Sequence, residues 1–107
     1  MWNPQELSAR YLHQAQDAER YLREVRGKLK RNPSYEHVFD EHMARFYVYN
    51  RLHGRTFLET REALLKELEA MRRGELPRDP EVFDRERFER NYCMYVERVV
   101  AEISLKA

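Results

Sequence analysis

Leu7, Tyr11, Ala15, Ala18, Leu22, Val25 and Leu29 follow one another at steps of four, four, three, four, three and four residues. An α-helix brings such positions onto one face, at close to heptad spacing. Arg10, Gln14, Asp17, Glu24 and Lys28 fall on the opposite side. The pattern predicts a helix from about Pro4 to Arg31. A second stripe, Phe39, Met43, Phe46, Asn50, His53, Phe57, Thr60 or Arg61, Leu64, Leu68 and Met71, predicts helix from Ser34 or Tyr35 to about Arg73. A third, Phe88, Tyr92, Val96 with Tyr95 beside it, Val99 and Ile103, predicts helix from Pro80 to about Leu105. Alternation at period two, the mark of a half-buried strand, is absent. The expected fold is all-α, with three long helices.

The punctuation agrees with these segments. Asn3-Pro4, Asn32-Pro33 and Asp79-Pro80 each set a capping side chain before a proline. Proline suits the first helical position because its missing N–H would be unpaired there anyway. The Asn or Asp oxygen accepts from the free N–H groups of the first turn. Glu6 stands three residues after Asn3, as in a capping box. Ser34 is a competing cap for the central segment. Gly74 supplies a C-terminal stop, with Arg72 and Arg73 placed against the negative end of the helix dipole. Leu76 to Pro80 reads as a linker.

The central segment raises a question of length. Forty residues of unbroken helix would span about 60 Å, whereas a chain of this size has a radius of gyration near 13 Å. Gly54 weakens the middle, since glycine costs about 1 kcal/mol inside a helix. Thr56-Phe57-Leu58-Glu59 also reads as a capping box for a new helix. The apolar register nevertheless runs on across Gly54. The expectation is therefore a central helix that is continuous or kinked near Gly54; the alternative is a four-helix up-down bundle with a reversal at Gly54.

Composition narrows the class further. The 107 residues suit a single helical domain, 1–107. Charged residues make up 36% of the chain but nearly cancel, leaving a net charge of +1. That balance lacks the single-sign excess of a disordered tail or a bulk polyanion binder. Cys93 is the sole cysteine and has no internal disulfide partner, which points to a reducing, cytoplasmic setting. Neither a leader-like start nor an apolar run long enough for a membrane span is read, so no membrane partner is expected.

Four stretches are candidates for chemistry. Asn50, Arg51, His53 and Arg55 put polar groups on the central stripe. Such a layer fixes register and oligomeric state in helical assemblies, or lines a ligand pocket with His53 as acid or base and the arginines as anion binders. Arg23, Arg26 and Lys30 share one face near the end of the first helix, a candidate nucleic-acid surface. Glu36, His37 and Glu41 are the densest set of metal-ligand types, but too few to complete a site by spacing alone. Cys93 beside Arg90 offers little to activate a thiolate. No cofactor motif and no catalytic constellation follow from the spacing. Trp2, Tyr21, Tyr47, Tyr49 and Tyr95 lie beside or off the stripes, more aromatic area than one helical hairpin covers. The expected function is a self-associating helical interaction or assembly module without catalysis. A nucleic-acid-binding subunit and a metal or small-ligand protein are the alternatives.

Overall fold

The side-chain oxygen of Asn3 accepts a 3.1 Å hydrogen bond from the Glu6 N–H, and Pro4 occupies the first helical turn behind it. Helix α1 accordingly runs Pro4–Leu29. Asn32 caps in the same way, accepting from the Ser34 N–H at 3.0 Å and the Ser34 hydroxyl at 2.7 Å. The turn it opens is a short 3-10 helix, Pro33–Tyr35, which leads into α2, Glu36–Leu58. Helices α3, Arg61–Arg73, and α4, Arg85–Leu105, complete the order. The computed structural model describes residues 3–58, 60–73 and 81–105, and contains no strand among them.

The all-α class is as expected, and the architecture is the four-helix alternative with its turning point moved. Gly54 lies inside α2, where it is exposed. The chain breaks farther on, at Thr60, whose hydroxyl accepts from the Ala63 N–H at 3.2 Å and whose carbonyl accepts from Leu64 at 3.0 Å. A threonine at that point satisfies helix-start N–H groups, which a glycine cannot do with a side chain. Reversal there folds Leu64, Leu68 and Met71 back into the bundle, where all three are buried. A straight continuation would have carried them beyond a molecule only 46 Å long. Thr56 stands within α2, while Glu59, the other half of the expected capping box, lies outside the described residues.

The start of α4 also moves. Asp79-Pro80 lies outside the described residues, and Glu81 to Asp84 is not helical. Asp84 is the cap, accepting from the Arg87 N–H at 3.2 Å through its side chain and from Phe88 at 3.0 Å through its carbonyl.

Helix directions alternate. Ser8 on α1 donates to the His53 carbonyl near the far end of α2, and Arg26 lies 5.6 Å over the Phe39 ring near its start, so α1 and α2 are antiparallel. Arg61 reaches the Ile103 carbonyl at 3.4 Å and Arg72 meets Glu97 at 3.1 Å, which sets α3 antiparallel to α4. Tyr47 packs on Phe88 and Tyr49 on Tyr95, edge to face at 5.8 and 6.0 Å, which sets α4 parallel to α2. A single apolar core joins all four helices, with α2 packed against both α1 and α4.

Candidate functional site

The polar stretch at Asn50 does not form a core layer. Asn50 is exposed and His53 only half-buried. Ala44, Val48, Tyr49 and Leu52 fill the interior instead. The error lies in the phase: a single stripe describes a helix with one neighbour, whereas α2 has two. The row Asp40, Ala44, Val48, Leu52 is a four-residue ridge of the kind that packs into a neighbouring helix. Asn50, two positions after Val48, is turned away from that ridge. Arg51 and Arg55 converge on one carboxylate of α3. Arg51 Nε donates to Glu67 at 2.8 Å, and Arg55 stands 3.3 Å from its other oxygen. Both guanidiniums thus tie α2 to α3.

The other predicted residues are likewise placed. Arg23 and Arg26 are exposed on α1, and Lys30 is exposed at the cap that follows it. Arg26 lies against Phe39 and 3.5 Å from Glu81. His37 is exposed, while Glu41 accepts from the Tyr95 hydroxyl at 3.2 Å. Burial first, and the Glu41 charge second, push the Tyr95 phenol up to about 12. Among the described residues no three His, Cys, Asp or Glu side chains are grouped to hold a metal ion, and Glu36, His37 and Glu41 do not converge into such a set.

Two polar clusters escaped the sequence patterns. Asp40 is fully buried, and its carboxylate accepts from the backbone N–H groups of Phe83 at 2.8 Å and Asp84 at 2.9 Å, with Arg87 at 3.2 Å. It secures the lead-in to α4. The second cluster joins α1 to α2. Asp17 receives guanidinium groups from Arg45 and Arg20, and the Arg45 hydrogen bond holds its carboxyl below the usual range. Tyr21 stacks on His42 at 4.7 Å, nearly parallel, with Arg20 and Arg45 each 5.9 Å from the tyrosine ring. Burial, then the Arg45 charge, lowers the His42 pKa and favours neutral imidazole. The acidic run around Asp40 was visible as composition; which member is fully buried was not, because that depends on the phase of α2.

The aromatic surplus shrinks once four helices are packed. Tyr49 and Tyr95 are buried and Tyr47 is half-buried, which removes them from the expected outer surface. Trp2 lies outside the described residues. Among the described residues Leu12, Tyr21 and Phe83 are the exposed large hydrophobics. A different feature takes their place. The outward side of α4 is an open surface formed by residues of that helix alone, among them Arg90, Cys93, Met94, Glu97 and Ala101. Among the described residues, no helix is long and apolar enough to cross a membrane.

Comparison with known proteins finds no matching family model, and neither the curated proteins nor the solved structures give a significant match to this chain.

Proposed function

We propose that the protein is a helical interaction module that acts by surface recognition, and that its docking surface is the outward face of α4. The observation that carries this is the outward strip of α4 itself: Cys93 and Met94 are only half-buried, and Ala101 is exposed, on an open surface edged by both acidic and basic groups. Packing one helix face against a partner helix through apolar anchors is a recurring mode of recognition. The free cysteine accords with work in a reducing, cytoplasmic setting.

Charge also argues for a protein partner. Glu86, Glu89 and Glu97 outnumber Arg90 and Arg98 on this surface, and the negative excess would disfavour a phosphate backbone. A nucleic-acid role would fall instead to Arg23 and Lys30, because Arg26 faces Glu81 while Arg51 and Arg55 face Glu67. Its signature would be affinity that falls steeply with salt.

The test is site-specific photo-crosslinking of the full chain in the cells that make it. A photoreactive side chain at Ala101 should give an adduct of defined mass. The same group at Glu24, exposed on α1, should not. Equal labelling from both positions, or none from Ala101, would remove α4 as the docking surface.

A further inference from the structure

The outward strip of α4 reads Glu86, Arg90, Cys93 with Met94, Glu97, Ala101, at steps of three or four residues along one side of the helix. Glu86, Arg90, Glu97 and Ala101 are exposed. Reversed end for end about the midpoint of Cys93 and Met94, the strip complements itself. Arg90 falls opposite Glu97, Glu97 opposite Arg90, Cys93 opposite Met94, and Glu86 opposite the small Ala101. Laid parallel and in register, it instead opposes Glu86, Arg90 and Glu97 to their own copies. Like charges facing each other are destabilising, and opposite charges fix register.

We infer that the outward face of α4 is covered by a second copy of this chain, its α4 antiparallel to the first, related by a two-fold axis passing between Cys93 and Met94. The inference rests on α4 being the docking surface proposed above. A two-fold pairing needs one surface that complements itself, and this strip does. Met94 adapts its shape to a facing side chain, and Ala101 lets the backbones approach. Glu97 is already oriented by Arg72 at 3.1 Å, so the partner's Arg90 meets a carboxylate held in place. A helix of 21 residues is about 30 Å long. One such pair buries less than the roughly 1,200 Å² of a stable interface, so the dimer forms and dissociates with concentration.

Sedimentation velocity from micromolar to millimolar protein tests this with four chains: the wild type, Arg90→Glu, Glu97→Arg, and the double variant. The wild type should pass from monomer to dimer as concentration rises. Each single reversal sets like charges together at both symmetry-related contacts and should weaken the dimer about tenfold or more. The double variant should recover it, and an equal mixture of the two single variants should pair with each other. Thermal melts should be nearly unchanged for Arg90→Glu and fall only slightly for Glu97→Arg, which also removes the exposed Arg72 pair. A short bis-maleimide should join the Cys93 thiols of the two wild-type copies. A chain that stays monomeric at millimolar concentration overturns the inference, and so does a dimer indifferent to both reversals. The Ala101 cross-link separates this failure from that of the docking surface itself. An adduct whose mass is not that of two copies keeps the surface and removes the second copy as occupant, whereas no adduct removes both.

Discussion

Helices α1 and α2 are the two longest among the described residues and lie side by side, yet they are built on different plans. Helix α1 presents one face to the core. Leu7, Tyr11, Ala15, Ala18, Leu22 and Val25 are all buried along it; of the residues read as opposite, Arg10, Gln14, Glu24 and Lys28 are exposed, while Asp17 is half-buried against α2. Helix α2 is held from two directions, by α1 and by α4. Its buried residues spread from Phe39 and Asp40 through Met43, Ala44, Val48 and Tyr49 to Leu52, too wide for a single line. The second neighbour also brings a fully buried charge, Asp40, which α1 lacks. An outer helix can be specified by one row of hydrophobes. A central helix needs two rows, and where they meet it can carry a polar group that anchors a neighbouring segment.

The sharpest way to break this contrast is to remove that polar group. Asp40→Ala leaves the Phe83 and Asp84 N–H groups without their acceptor and Arg87 without its buried partner. Hydrogen bonds to a charged group are worth about 1.5–3 kcal/mol each, and three are lost here. The variant should show that loss in urea unfolding, while Glu24→Ala on the exposed side of α1 should stay within about 0.5 kcal/mol of wild type. Equal effects from the two would mean that Asp40 does not organise the lead-in to α4.

The same contrast explains what could be read from sequence. The stripes of α1 and α4, and the Leu64, Leu68 and Met71 row of α3, were legible because a one-sided apolar row at helical spacing has a single solution. The stripe of α2 began correctly at Phe39 and Met43, then followed Asn50 and His53 outward while the interior passed through Val48, Tyr49 and Leu52. Aromatics on α2 and α4 looked surplus for the same reason: Tyr49 and Tyr95 are covered by packing between distant segments. The open face of α4 was not legible at all, since which side of a helix is left outward is defined by where the other helices lie. A pair of substitutions at neighbouring positions checks the phase of α2. Leu52→Ala should cost about 2–4 kcal/mol because Leu52 is fully buried. Asn50→Ala should change stability by less than about 0.5 kcal/mol because Asn50 is exposed. The reverse order of effects would restore Asn50 to the core.

The smallest effect tests where α2 ends. Gly54 sits in the helix interior, and a methyl group added there meets no atom within 4 Å. Its backbone angle φ lies outside the positive range that favours glycine. Gly54→Ala therefore removes unfolded-chain freedom without a clash and should stabilise the protein by about 0.5–1 kcal/mol. Thr60 is the residue that terminates the reversal, through its bond to the Ala63 N–H, so Thr60→Ala should cost about 1 kcal/mol. Paired thermal melts give the two signs directly. A chain that turned at Gly54 would show them exchanged: alanine would strain the turn, and Thr60, then inside a helix, would be replaced at little or no cost. Opposite signs at these two nearby positions would place the end of the central helix at Thr60, where a side chain supplies the cap, and make Gly54 an ordinary weak point inside it.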